Sequence, residues 1–140
     1  MRAVVQRVSS AAVSVEGEEI ARIGPGLLVL LGIHSDDTEN QADKLVRKLL
    51  ALRVFEGEDG RMNLAAADAG GQFLCVSNFT LYGDTRTGNR PSFVEAAAPA
   101  DAEPLYDRVR EGLGALGGRF GARMALELVN DGPVTVIVEA

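Results

Sequence analysis

The chain of 140 residues has one cysteine, one histidine and no tryptophan, and its fourteen basic residues are nearly all arginine. Each scarcity excludes something. Cys75 alone cannot form an intrachain disulfide framework or a four-cysteine zinc site, and it fits a reducing, cytoplasmic setting. His34 alone cannot build a three-histidine metal centre or a pair of histidine bases, and any Ser-His-Asp triad would have to run through it. It lies between the apolar LLVLLGI and the acidic SDDTEN and reads as a solvated loop residue. An enzyme built on this chain is therefore expected to work without a histidine base, a metal or a cofactor. Long apolar runs are missing too. The longest, Leu27–Leu31, falls far short of the ~20 residues of a membrane-spanning helix. Arg2 and Arg7 interrupt the start where a secretory signal would need an apolar core. Net positive charge is the last absence. At −6 the chain is unsuited to a broad electrostatic grip on DNA or RNA, so DNA is not an expected partner. A pocket for one nucleic-acid end remains open, and arginine forks suit specific phosphate or carboxylate contacts.

What is present is enough for one folded domain, residues 1–140. A hydrophobic fraction of 46% against 24% charged residues offsets chain entropy and argues against disorder. Residues 1–24 alternate as paired strands, with Gly17 marking a hairpin and Gly24-Pro25-Gly26 a turn. LLVLLGI reads as a strand buried on both faces. Ala42, Leu45, Val46, Leu49 and Leu50 fall at helical spacing, with Asp36, Asp37 and Thr38 as caps. Arg53–Phe55 reads as a short strand, and GQFLCVSNF, residues 71–79, as another apolar strand. Leu105, Val109, Leu113 and Leu116 make one stripe of a second helix over 104–116, with Asp101 as its cap. Phe120–Val129 and Val134–Val138 read as two closing strands. The order implies an α+β fold: a curved, mostly antiparallel, barrel-like sheet with two helices packed on one side. Rossmann and P-loop folds are disfavoured, because no glycine-rich phosphate motif opens a helix.

Two segments carry candidate chemistry. Ser77-Asn78-Phe79-Thr80-Leu81 puts hydrogen-bonding side chains where an apolar strand leaves the core. It is either one wall of a pocket or a polar strand exit. Asn130-Asp131-Gly132-Pro133-Val134-Thr135 holds a Gly-Pro between strands. Proline fixes φ and tolerates a cis bond, so the unit either aims carbonyl oxygens with no side chain in the way or makes an ordinary tight turn. Cys75, flanked by Leu74 and Val76, reads as a core thiol. Arg86, Arg90 and NRPSF either bind phosphate or form a solvated loop.

The pair SNFTL and NDGPVT resembles the D-aminoacyl-tRNA deacylases, in which the first motif usually reads SQxxL and the second NxGPxT. VVQRVSSAAVSVEGE, IGPGLLVLLG, GRMNL, NRPSF and GRFGARM match as well, so the resemblance spans essentially the whole chain. Asn78 departs from the usual glutamine and is one methylene shorter. The resemblance implies a cytoplasmic homodimer that hydrolyses the ester between a D-amino acid, or glycine mischarged on the alanine tRNA, and the terminal adenosine of tRNA. It implies a pocket at the subunit interface, lined by Ser77, Asn78, Phe79 and Thr80 of one chain, with Gly132 and Pro133 entering in cis from the other to reject L-amino acids. Phe120 and Met124 are implied as adenine contacts, and Arg7 as the residue that orients the Gly-Pro. The substrate's 2′-hydroxyl would assist the attack. Two rivals stand beside this reading: a hydrolase with Thr80 or Ser77 as covalent nucleophile, which needs an activating base, and a non-catalytic RNA-end binding module.

Overall fold

The computed structural model describes residues 1–140. Its longest early element is β1 (Arg2–Val15), which turns through Glu16 and Gly17 into β2 (Glu18–Ile23). Both turn residues have positive φ, 52° and 80°, the backbone twist a tight hairpin requires. The Gly24-Pro25 turn leads into β3 (Gly26–Gly32), followed by α1 (Glu39–Leu50), the short β4 (Phe55–Glu56) and β5 (Met62–Leu64), and β6 (Gln72–Ser77). A single 3₁₀ turn (Phe79–Tyr82) ends β6. Then come α2 (Pro99–Gly112), the two-residue β7 (Leu116–Gly117) and β8 (Ala125–Glu139).

The main sheet runs β2-β1-β3-β6-β7, with β8 also on β1. One edge of β1 gives its first half to β3 (Arg2↔Gly32 to Val8↔Gly26) and its second half to β2. The other edge takes β8 from Arg2↔Glu139 to Ser14↔Ala125. All pairings of β1 are antiparallel, whereas β3–β6 and β6–β7 are parallel. The result is a curved, nearly closed mixed sheet with both helices, in one α+β domain.

Two apolar clusters explain the pattern of the strands. Leu27, Val29 and Leu31 of β3 join Ala42, Leu45 and Leu49 of α1 and Ala102, Tyr106 and Val109 of α2. Leu28 joins Val8, Val13, Ile23, Leu74 and Val76 in the second cluster. β3 therefore buries both faces, which is why its sequence is apolar without alternation. In β1, Ala3 and Val5 belong to the helix-side cluster but Ala11 and Val13 to the other. The switch falls where the β1–β8 register shifts, around Val8; a bulge moves the remainder of a strand to the opposite face.

Several boundaries differ from the sequence reading. Thr38 alone caps α1, in a reciprocal capping box with Gln41. The second helix starts five positions earlier than expected, at Pro99, with Ala98 as N-cap. Asp101 sits in its first turn and Pro104 inside it. Pro99 is at home at the first helical position, where an amide has no intrahelical acceptor; Pro104 lies past the first turn and gives up one helix bond, to the Ala100 carbonyl. Leu116 leaves the helix for β7. The expected strands 120–129 and 134–138 are one element, β8, starting at Ala125, because both halves pair with the same β1. No helix is long and apolar enough to cross a membrane.

The capping box and the helix-side cluster set the stability of α1. Thr38→Ala should cost about 1 kcal/mol and Leu45→Ala, at a fully buried position, about 2–5 kcal/mol. Urea denaturation of the two variants against the parent checks the order and size.

Candidate active site

β6 carries Phe73, Leu74, Cys75 and Val76 through the core and ends at Ser77. Asn78 N–H completes the parallel ladder to the carbonyl of Leu31 at 2.7 Å, and the chain then winds into the 3₁₀ turn. Amides at the start of such a turn have no intrahelical acceptor, and the Asn78 side chain makes no cap to them. Instead Thr80 Oγ1 donates to Asn78 Oδ1. Since that oxygen is engaged, the amide Nδ2 is the group of Asn78 left to donate elsewhere.

Ser77, Asn78 and Phe79 form one wall of a cavity of about 590 Å³. Leu31 and Ile33 contribute from the end of β3, Phe120 and Met124 from the segment before β8, and Ala96 to Ala98 from the approach to α2. None of the lining residues is ionisable. Phe79 and Phe93 meet edge to face, 5.2 Å between centroids. Phe79 is 57% exposed, an apolar ring at the mouth rather than in the core. Of the residues singled out in the sequence, Ser77, Asn78, Phe79, Phe120 and Met124 thus share one cavity. Thr80 stands behind Asn78 and does not line it. The alanine run 96–98 has no place in the sequence reading, and Phe93, read there only as part of the NRPSF loop, lines the cavity instead. Small side chains next to a helix-initiating proline were the available signal.

Gly132, Pro133 and Arg7 form a second constellation, away from that cavity. The Gly132–Pro133 peptide is cis, and both residues are exposed. Arg7 is the one charged residue buried in the fold, 7% exposed. Its Nε donates to the Asp131 carbonyl at 3.2 Å and lies 3.1 Å from the Asp131 carboxylate, while a terminal nitrogen donates to the Val54 carbonyl at 2.7 Å. Asn130 Nδ2 donates to the carbonyls of Arg7 (2.8 Å) and Val134 (3.1 Å). The segment carrying the Gly-Pro is therefore tied to β1 from two directions. Asn130 was visible in the sequence only as part of a motif; its bridging role needs the register of β1 against β8.

The remaining polar candidates are accounted for. His34 is half-buried rather than solvated. Its Nδ1 accepts from Asp36 N–H at 3.0 Å and its ring meets Tyr82 edge to face. Arg86 is held bidentately by Asp84 at 2.9 and 2.7 Å, which keeps the Asp84 carboxyl down at about 2. That leaves Arg90, an exposed loop residue, as the freer cation of this segment. Cys75 is fully buried, and desolvation pushes its thiol up to about 12. Burial likewise raises the Tyr106 phenol, whose hydroxyl donates to the Cys75 carbonyl at 2.7 Å.

Comparison with known proteins points one way. The family model described as D-Tyr-tRNA(Tyr) deacylase matches residues 4–139. A D-aminoacyl-tRNA deacylase of Symbiobacterium thermophilum is 55% identical over the whole chain and 96% of its own length. Among solved structures, one titled c-Myc DNA unwinding element binding protein is 42% identical with a TM-score of 0.92, covering 100% of this chain and 99% of the other. Another, titled as a structural analysis of a probable eukaryotic D-amino acid tRNA deacylase, is 20% identical with a TM-score of 0.86 over 99% and 98% of the two chains, a likeness of fold alone.

The burial of Cys75 gives a direct check on the core thiol. Since the thiolate is the reactive form, iodoacetamide at pH 8 should leave the folded protein unlabelled and modify Cys75 promptly in urea, as intact mass will record.

Proposed function

The chain belongs to the D-Tyr-tRNA(Tyr) deacylase family and is an ester hydrolase of D-aminoacyl-tRNA, and from that premise we propose how its residues do the work. The terminal adenosine enters the 590 Å³ cavity, its base against Phe120 and Met124, with the ester beside Ser77, Asn78 and Phe79. The observation that carries the mechanism is the lining itself, which offers no ionisable side chain. His34 lies outside it and Cys75 is buried, so neither a general base nor an activated nucleophile of the protein is at hand. The substrate carries its own group, the ribose 2′-hydroxyl next to the scissile ester. That hydroxyl assists attack on an already activated acyl carbon. The protein contributes position and donors for the developing oxyanion, the free amides at Phe79 and Thr80 among them. One such donor lowers the barrier by about 3–4 kcal/mol.

Thr80 is then a positioning residue. It holds Asn78 Oδ1 and so aims Nδ2, which takes the place of the family's longer glutamine amide.

Chirality is read by a second subunit. In this reading the protein is a cytoplasmic homodimer, and the carbonyls of Gly132 and Pro133 of the partner subunit hold the substrate's α-amino group. With adenosine, ester and amino group fixed, a D side chain points to solvent and an L side chain into the carbonyls. Glycine has nothing to clash, so glycyl-tRNA, including glycine mischarged on the alanine tRNA, is also a substrate. Support comes from the position of these residues on an exposed stretch of β8, beside Val129 at 58% exposure, with Ile137 at 67% further along the strand. The name of the DNA-binding structural neighbour is not carried over, since a net charge of −6 opposes a phosphate-backbone grip.

Purified protein should deacylate D-Tyr-tRNA and Gly-tRNA and spare L-Tyr-tRNA, and light scattering should give twice the chain mass. Cleavage of both tyrosine enantiomers at equal rates would remove the chirality reading. On tRNA ending in 2′-deoxyadenosine, charged at the 3′ position, the rate should fall about 10²-fold or more, the scale of a lost proton-transfer group. Ser77→Ala and Thr80→Ala should cost far less than the ~10⁶-fold of a deleted covalent nucleophile; a loss of that size in either variant, measured by single-turnover kinetics, would restore the nucleophile mechanism.

A further inference from the structure

Next to the apolar cavity lies a second, polar cleft of about 340 Å³ between α2 and the segment after β7. The two share Phe120 as a common wall. Glu103, Asp107 and Arg110 of α2 rim the cleft on one side and Arg119 on the other. Their charges are not matched to each other. Glu103, Asp107 and Arg119 have no ion-pair partner, and Arg110 has only its exposed neighbour Glu111 at 3.7 Å. Arg108, two positions from Arg110 on the opposite side of the same helix, is by contrast neutralised by Asp43 at 2.7 Å and Glu39 at 3.5 Å. At Gly117 a Cβ would stand 2.5 Å from both the Tyr106 hydroxyl and the Arg110 stem, so any other residue would push into the cleft floor.

A ligand that satisfies this rim needs an anion for the arginines, hydrogen-bond donors for the carboxylates, and a flat face for Phe120. A cytidine nucleotide has all three. Its phosphate suits Arg119 and Arg110, its exocyclic amine suits an Asp or Glu acceptor, and single-stranded bases are held by stacking on aromatic side chains. Because the 3′ end of tRNA reads CCA, the nucleotide covalently attached to the terminal adenosine is a cytidine. Adjacent nucleotides must occupy adjacent sites, and the shared Phe120 makes these two sites adjacent. Resting on the reading that the first cavity takes the terminal adenosine, we propose that this cleft binds the penultimate cytidine, Asp107 and Glu103 reading its amine and Arg119 its phosphate. The acidic chain thereby recognises an RNA end by a short two-nucleotide footprint rather than by a charged surface.

The test uses two chemically charged D-Tyr-tRNAs, one ending in CCA and one in CUA, which replaces the amine by a carbonyl oxygen. For the parent protein kcat/KM should be about tenfold higher on CCA, within the range of one good base-edge pairing. In a Glu103→Gln, Asp107→Asn double variant the ratio should fall to within about twofold of one, as expected when the base-edge pairing is lost. Arg119→Ala should lower kcat/KM on both tRNAs while keeping the ratio. Equal turnover of CCA and CUA by the parent would overturn the subsite and leave the deacylase reading intact. A ratio unchanged in the double variant would do the same. No deacylation of either tRNA by the parent would overturn both.

Discussion

β1 hydrogen-bonds along both edges for almost its whole length, and the other parts of the molecule take their places from it. β3 holds one half of its inner edge, β2 the other half, and β8 the outer edge. Through β3 the ladder continues to β6, whose last residues become the polar wall of the cavity. Through β8 it continues to the Gly132–Pro133 segment. Two stretches of sequence that share no local contact are thus registered against one strand. A slip of one residue would exchange the buried and exposed faces of everything attached to it.

Arg7 shows how that register is reinforced. A guanidinium in a nearly closed interior is costly unless its donors are satisfied, and here they reach the Val54 and Asp131 carbonyls. Asn130 reciprocates by donating to the Arg7 carbonyl. The bulge around Val8, which would loosen a plain ladder, is instead bridged by side chains at both levels. The same bulge lets one strand serve two apolar clusters, which a short chain needs in order to bury enough surface.

Much of this could be read before any coordinates. The alternation of residues 1–23, the apolar run of β3 and the helical spacing of α1 each reflect burial on a defined face, and burial is what sequence periodicity records. The cavity residues Ser77 and Asn78 are visible as polar groups at the end of an apolar strand, with Phe79 next to them. The failures were of two kinds. The start of α2 is hidden because Pro99 and Pro104 look like breakers, although Pro99 sits at the first helical position, where an amide has no intrahelical acceptor, and Pro104 costs the helix only one bond. The unity of β8 was missed because Gly-Pro reads as a turn, and only a shared partner strand reveals that both flanks belong together. Asn130, Phe93 and the alanines at 96–98 act through tertiary position, which spacing does not encode.

The pairing of β1 with β8 joins Arg2 to Glu139, 137 positions apart. The β1–β2 hairpin, the β3 ladder and α1 draw on residues 2–50 alone, yet the outer edge of β1 stays open until residues 125–139 are in place. Non-local pairings of this kind slow folding, because loop closure must precede the contacts that reward it. An open edge is also a template for other chains. Until β8 pairs, then, the strand that organises the finished fold is the one most in need of shielding.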